Sequence, residues 1–429
     1  MSMLISNIAR AVACVIWITV VMAPPSVHAQ GKDGQQLTHQ ALIKAAFNYY
    51  PSILAAKYEA QATQEDLSAA ERQRWPTFTA TVESNSGNVR TPPSRGVQID
   101  QTIWDAGRNS ARISESKALS EIGQLKVILQ QQELALQVTA AWQNMVGALQ
   151  RVNVAKASLE RLKKYQLQMQ RRVDAEASSR IDLELANSRV QQTEVEMVSA
   201  ESNLVISLSR LQQLTGLDDL YARLHTLAPF PPSPITARYA ELMKTVDWQR
   251  MASEHPNVAK AQYEYEQAKN RLEAKQAEGW PQLYVRSYQP FGPSPTNNDT
   301  GMTTFVGMRY SPGAGFSNFA EQKAMSTRMA GSELMIQTAT RETMQSMQND
   351  REEFMTARGR VSVLEKSVES SALVLDSYQR QFEAGRKQWL DLLNAVREHT
   401  QNQYNLADTQ VAMMAALYRL QIRTGQDAR

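Results

Sequence analysis

The sequence is internally duplicated, and this repeat restricts the fold more than any other feature. Trp75-Pro76 ends a segment that begins at Pro51, and the same pattern returns 205 residues later, ending at Trp280-Pro281. A second set of matches, offset by 209 residues, ends at Thr215-Gly216 and at Thr424-Gly425. Two units with one plan are expected from such a repeat. We place the first structural repeat at 30–229 and the second at 230–429.

Each repeat is predicted to contain a helix, a strand pair, a very long helix and a return helix. Helical periodicity and proline breaks bound the helices, and polar-apolar alternation marks the strands. In the first repeat the helices span about 38–74 with a kink or restart at Pro51, 108–172 and 181–214. The strands flank a turn at Ser84–Gly96 and are Thr77–Glu83 and Val97–Ile103. The strands of the second repeat are Gln282–Gln289 and Met302–Tyr310.

The helix lengths predict an elongated packing. At about 1.5 Å per residue the long helix spans roughly 100 Å. The return helix is only about half as long, and the opening helix has the complementary length. Placed end to end, these two short helices match the long one, which predicts an elongated rod.

The four strands are too few to form a closed wall. Each is about the length that crosses a bilayer when tilted. Open strand edges leave unpaired backbone groups in lipid, so strands from several copies are expected to join. The alternative is a soluble four-stranded sheet that caps a helical bundle.

Residues 1–29 are predicted to be a secretory signal peptide. Arg10 precedes an apolar stretch, Ala11–Ala23, and the small-residue pattern ends at Ala29. A membrane anchor is the alternative, but the stretch is shorter than a spanning helix. The only cysteine, Cys14, lies in this segment, which excludes disulfides and thiol-metal sites from the mature chain.

Composition and motifs argue against an enzyme and against nucleic-acid binding. The formal net charge is only +3, and no basic patch carries interleaved aromatic residues. The five histidines are scattered, and no metal-protease, P-loop, hydrolase or calcium-loop motif is present. We therefore expect no catalytic residues, no cofactor and no metal site.

At this level the chain resembles the TolC family of outer-membrane channels. The resemblance rests on the two Pro-to-Trp-Pro segments, on Gln101–Arg108, and on Gly385–Leu393 followed by the Thr424-Gly425 ending. It implies a mainly α fold with a small β part. Long coiled-coil-like helices would form an α-barrel tunnel, and three copies would share a twelve-stranded transmembrane β-barrel.

The resemblance also implies a location and partners. The chain would be a homotrimer in outer-membrane lipid with a long periplasmic extension, contacting a periplasmic adaptor and an inner-membrane transporter, of ABC type. Tyr310–Gly315 resembles the LapE and AggA subgroup, which serves type I secretion of large adhesins. Small-molecule or drug efflux is the alternative cargo, and a periplasmic adaptor or coiled-coil scaffold is the alternative class of protein.

Pore residues are expected at the two helix reversals, Val173–Asp182 and Phe382–Asp391. The resemblance places Asp391 at the pore constriction, where a ring of carboxylates favours cations. Asn394 stands where the family has a second aspartate, which halves the expected charge. Lys387 and Asp182 match an ion pair that holds neighbouring hairpins closed, with two solvated charges as the alternative.

Exposed residues of the two tips are candidates for adaptor contact. An exposed tryptophan at a tip suggests a partner, and a tryptophan buried between the helices is the alternative. Glu176 occupies the position of Gly385, so the two tips are not required to share one backbone conformation. The candidate contact residues are Ser178, Ser179, Ala384, Gly385, Arg386 and Trp389.

Overall fold

The computed structural model describes residues 37–83, 94–226, 233–291, 301–311 and 313–425. The signal-peptide prediction for residues 1–29 lies outside the described residues. The nine α-helices described are α1 His39–Tyr49, α2 Pro51–Arg72, α3 Arg108–Asp174, α4 Arg180–Thr215, α5 Ser233–Thr245, α6 Trp248–Ser253, α7 Pro256–Ala277, α8 Ser317–Glu383 and α9 Trp389–Thr424. The strands are β1 Thr77–Glu83, β2 Ser94–Trp104, β3 Gln282–Pro290 and β4 Thr303–Arg309.

The four strands form one antiparallel sheet in the order β1-β2-β3-β4. The central pair, β2 and β3, joins the two halves of the chain, with Asp100 opposite Arg286. In the described part of the chain, strands β1 and β4 form the two edges, and each pairs with one neighbour. The sheet is therefore open on both sides within one chain.

The helices repeat in length and in order. The long helices α3 and α8 each contain 67 residues, and the return helices α4 and α9 each contain 36. Near the strands, α2 packs on α3, as shown by Ser52, whose hydroxyl accepts from Gln130. Near the tip, α4 packs on the same helix, and Lys163 pairs with Glu194 at 2.8 Å. The two short helices thus lie end to end along the long one, as predicted.

The second half has the same packing, and α3 bridges it to the first. Both α7 and α9 pack on α8 and on α3. Arg271 of α7 donates to Glu115 of α3. Asp408 of α9 accepts from Arg151, which also lies on α3. Across the wall the helices therefore follow the order α4-α3-α9-α8 near the tip and α2-α3-α7-α8 near the sheet.

Two apolar clusters hold the helices together. The larger lies where the return helices end and includes Leu42, Met145, Leu211, Phe354 and Leu417, all buried. The second lies near the tip and is built around residues such as Leu162, Val190, Leu375 and Leu392. Burial of each such side chain contributes about 1.5–3 kcal/mol.

Most element boundaries agree with the sequence prediction within two residues, and the exceptions are the start of β2 and the two helices α5 and α6. Strand β2 begins at Ser94, so the end of the predicted Ser84–Gly96 turn is strand, while residues 84–93 lie outside the description. Strand β4 lacks the predicted ends Met302 and Tyr310. Helices α5 and α6 had no counterpart in the prediction, because they are short and lie in the segment that joins the repeats.

Candidate functional site

The two helix reversals have the same backbone geometry. Glu176 has φ +56° and Gly385 has φ +72°, so both adopt the left-handed conformation. At each tip three backbone N–H groups bond to the last carbonyls of the long helix, for example Ala177 to Arg172 and Arg386 to Gln381, both at 2.8 Å. The sequence did not require the two tips to share one shape, but they do, because the capping hydrogen bonds impose this conformation even on glutamate.

The candidate contact residues at the tips are mostly exposed. Ser179, Ala384, Gly385 and Arg386 are exposed, and Ser178 is half-buried. Ser179 also caps α4, since its hydroxyl accepts from the backbone N–H of Ile181 at 3.1 Å. An N-cap of this kind satisfies one of the free donors at the helix start.

Trp389 is an exception, and the idea that it is exposed is wrong. Only 5% of the residue is exposed. Its ring packs 5.3 Å from Phe382 and edge-on to Tyr165 at 6.3 Å. Its indole Nε1 donates to the backbone carbonyl of Asp182 at 3.0 Å. Trp389 therefore ties the two hairpins of one chain together. Inside the tip its ring packs against other aromatic rings, and its single N–H donor finds a carbonyl acceptor.

Lys387 and Asp391 form an ion pair within one tip. Lys387 Nζ lies 3.4 Å from Asp391 Oδ2, and the same ammonium group lies 4.3 Å from the centre of the Tyr378 ring. Both side chains are partly exposed, at 28% and 41%, so water screens the pair and it contributes little to stability. In the single chain Asp182 contributes its backbone carbonyl to Trp389, and no ion pair between Lys387 and Asp182 is described. Pairing of Lys387 with Asp182 of another copy remains a prediction.

Asp391 and Asn394 lie on one face of α9. Their spacing of three residues places them one above the other on the helix surface. Asn394 is exposed and Asp391 is half-exposed. The buried neighbours Leu392, Leu393 and Ala395 pack into the tip cluster instead. The constriction role of this exposed pair remains a prediction.

The sheet has one apolar and one polar face, which follows from the strand register. Phe78, Val82, Val306 and Met308 lie on one face and are all at least 68% exposed. On the opposite face β1 carries threonines, and the other strands carry the polar and aromatic side chains Gln98, Asp100, Thr102, Tyr284, Arg286, Tyr288, Phe305 and Arg309. Along β2, Val97 and Ile99 lie on the apolar face and Gln98 and Asp100 on the polar face, whereas Ile103 lies at a β-bulge.

The cluster of aromatic and charged residues on the polar face was missed by the sequence reasoning. Asp100 accepts a hydrogen bond from Arg286 across the central strand pair. The guanidinium groups of Arg286 and Arg309 each lie 5.2 Å from the Tyr284 ring centre. These residues come from three strands of two repeats. Only the strand register brings them together, so the polar-apolar alternation within one strand could not predict this cluster.

The described residues contain neither a cluster of metal-binding side chains nor a membrane-spanning helix. No group of three or more His, Cys, Asp or Glu side chains is placed to hold a metal ion in this part of the chain. Among the same residues, no helix is both long and apolar enough to cross a membrane.

Comparison with known proteins identifies the fold. Residues 42–217 match the family model described as Outer membrane efflux protein. The Vibrio cholerae outer membrane protein VceC superposes with a TM-score of 0.77 at 13% identity, covering 90% of this chain and 96% of that one. This is the fold of an outer-membrane channel.

Two further solved structures share this channel fold. The Campylobacter jejuni CmeC outer membrane channel matches with a TM-score of 0.76 at 11% identity, over 91% of this chain and 86% of that one. The Neisseria gonorrhoeae MtrE outer membrane channel, solved in its open state, matches at 0.73 with 14% identity, over 90% and 88%. A comparison with curated proteins finds no match.

Proposed function

We propose that this chain is one subunit of an outer-membrane export channel in the outer membrane efflux protein family. The sheet carries the main argument. Its apolar face is exposed, and among the residues that the structure describes neither edge strand has a second strand beside it. Lipid covers such a face, and strands from further copies pair with the open edges, because an unpaired backbone group in lipid costs several kcal/mol.

The helices support the same ring. Exposed large apolar side chains are concentrated on the two helices at the edges of the wall, five on α4 and six on α8, against two on α3 and one on α9. Examples are Val198 and Val205 on α4, and Val363 and Leu373 on α8. Helix α8 of one copy therefore packs against α4 of the next. Contacts between different patches of this kind close into a ring.

The ring is proposed to contain three copies, which together provide twelve strands and a helical tunnel. The resemblance to the TolC family supports this number. The tunnel gives cargo a passive conduit across the periplasm and outer membrane. A periplasmic adaptor and an inner-membrane transporter of ABC type supply the cargo and the energy, and the exposed tip residues Ser179, Ala384, Gly385 and Arg386 are proposed to face the adaptor.

A large adhesin exported by type I secretion is the proposed cargo. The segment Tyr310–Gly315 supports this choice, since it resembles the adhesin-export subgroup. Gly313 and Gly315 both have positive φ, at +81° and +60°, so the connection between β4 and α8 depends on glycine. Small-molecule efflux is the alternative, favoured by the name of the matching family model. Loss of surface adhesion after gene deletion supports adhesin export, whereas loss of drug tolerance alone supports efflux.

Engineered cysteines test the ring directly. Val198 lies 18 residues into α4, and Val363 lies 20 residues from the end of α8. Both are therefore about 30 Å from the tip. In a Val198→Cys, Val363→Cys variant we expect disulfide-linked species up to a trimer in outer-membrane fractions. Each single-cysteine variant is a control, and we expect it to form no disulfide-linked species larger than a dimer. A protein that fractionates as a soluble monomer contradicts the proposed function.

A further inference from the structure

The polar face of the sheet carries four charged side chains, two negative and two positive. In the described part of the chain, no negative charge lies close enough to Arg309 to form an ion pair with it. They are Glu83 on β1, Asp100 on β2, Arg286 on β3 and Arg309 on β4. Arg286 is neutralised by Asp100, which lies directly opposite on the neighbouring strand. Arg309 forms no ion pair among the residues that the structure describes. It is exposed and lies over the Tyr284 ring.

Glu83 is too far away to neutralise Arg309. Arg309 is the last residue of β4, at the end of the sheet where β1 begins. Glu83 ends β1, at the opposite end of the sheet. Seven strand residues separate the two ends by about 20 Å. This exceeds the screening length of about 8 Å at physiological ionic strength.

The acidic groups near the start of the long helix are bound to other donors. Asp105 accepts from the backbone N–H groups of Gly107 and Asn109, and its negative charge is offset by the positive charge of the nearby Arg108. Glu278 is paired with both Arg112 and Lys275. The local surplus around Arg309 is therefore positive.

The neighbours of Arg309 add further donor and aromatic character. Gln282 lies opposite it on β3, and its side-chain Nε2 is a buried donor with no partner among the described residues. Tyr284 lies between the Arg286 and Arg309 guanidinium groups, and Phe305 is 5.9 Å from Arg286. A cation held over an aromatic ring keeps its charge and is less free to move.

We propose that Arg309 forms an anion-selective ring at the helix end of the strand section, where it contacts carboxylate groups of the cargo. This inference rests on the proposed function, because it requires the polar face to line the conduit and Arg309 to recur once per copy. One unpaired cation per copy around a narrow pore raises the local concentration of anions. The cargo class it favours is carboxylate-bearing, and the Tyr284 and Phe305 rings supply the adjacent apolar contact.

The reversal potential of the purified full-length channel in a planar bilayer, under a KCl gradient, tests this proposal. We expect Arg309→Gln to lower the chloride-to-potassium permeability ratio by about twofold or more. Arg309→Lys, which keeps the charge, retains the wild-type ratio. The matched control is the double variant Asp100→Asn, Arg286→Gln, which changes no net charge and leaves the ratio unchanged.

The possible outcomes separate this inference from the proposed function. A conducting Arg309→Gln channel with the wild-type permeability ratio overturns the anion-selective ring and leaves the channel assignment intact. A wild-type protein that inserts but never conducts overturns the channel assignment and this inference with it. A parallel measurement with a polyglutamate peptide on one side extends the test to carboxylates, because it blocks wild type more strongly than Arg309→Gln if the ring binds them.

Discussion

Glu176 holds a backbone conformation that favours glycine. Its φ of +56° matches the +72° of Gly385 at the other tip. A side chain in the left-handed region costs about 1–2 kcal/mol, because its Cβ approaches the following carbonyl oxygen. The same three capping hydrogen bonds stabilise both tips and offset that cost at Glu176.

Replacing Glu176 with glycine is expected to stabilise the tip. The gain is about 1 kcal/mol, because the Cβ strain is removed while the capping bonds stay. Glu176→Ala is the matched control, since it removes the same charge but keeps Cβ. The measurement is the melting temperature of the purified protein. A Glu176→Gly protein that melts lower than Glu176→Ala contradicts this account.

His39 is a buried histidine that stays neutral. Its ring stacks on Tyr418 at 3.9 Å and meets Trp142 edge-on at 5.7 Å. The Thr139 hydroxyl donates to the Ala135 carbonyl at 2.8 Å. His39 Nε2 therefore donates to that hydroxyl, at 2.9 Å. Burial lowers the pKa of His39 to about 3.

This burial predicts a loss of stability in acid. The folded state keeps His39 neutral down to about pH 3, whereas in the unfolded chain histidine binds a proton below about pH 6.5. Stability therefore falls as the pH decreases from about 6.5 towards 3, by up to about 1.4 kcal/mol per pH unit. We expect His39→Phe, which keeps the stacking, to lose less stability between pH 7 and pH 4.5 than the wild type.

Melting temperatures at the two pH values measure this difference. The control is His225→Phe, which replaces an exposed histidine. Part of the loss persists in His39→Phe, since burial and Arg423 lower the pKa of His255 to about 4. Equal acid-side losses for His39→Phe and wild type would show that His39 does not contribute.

At the scale of elements, α8 and α9 are joined by a charged cluster as well as by the apolar core. Asp350 is 6% exposed and accepts from Arg419 and Arg423, each at 2.8 Å. Arg419 also donates to Glu353 at 2.6 Å. Both arginines lie near the end of α9, so this cluster sets the position of the return helix along the long one.

Removal of the shared carboxylate is expected to be costly. Asp350→Ala leaves two arginines without their main partner and destabilises the chain by about 2–4 kcal/mol. Glu353→Ala removes a partly exposed partner of the same arginine and costs less than about 1 kcal/mol. Chemical denaturation followed by circular dichroism compares the two. Similar losses in both variants would mean that burial of Asp350 does not matter.

At the scale of the whole molecule, the tip ion pair is predicted to affect what passes the entrance of the proposed channel. Lys387 neutralises Asp391 within one chain, so a ring of copies would present less negative charge than the aspartate alone suggests. If these residues line the entrance, Lys387→Ala frees the carboxylate. Cation preference and conductance should then both increase.

Single-channel recording measures both quantities. Asp182→Ala is the comparison, because within one chain Asp182 bonds through its backbone, its N–H to Ser179 and its carbonyl to Trp389. An effect of Asp182→Ala equal to that of Lys387→Ala supports a lock between copies. Unchanged conductance in both variants means that neither residue gates the entrance.

The sequence alone determined the plan of the molecule. Duplication, helical periodicity and the two Trp-Pro breaks predict two long helices, their shorter partners and four strands, and the channel fold confirms that architecture. These features are local or repeat at fixed offsets, so one-dimensional patterns carry them.

Only the tertiary structure decided how side chains far apart in sequence meet. Trp389 looked like an exposed tip residue, but two hairpins close around it. Asp100, Tyr284 and Arg309 form one polar cluster only because the strand register aligns them. Contacts between elements depend on rotation and register, and a shift of one strand residue would move every side chain to the other face.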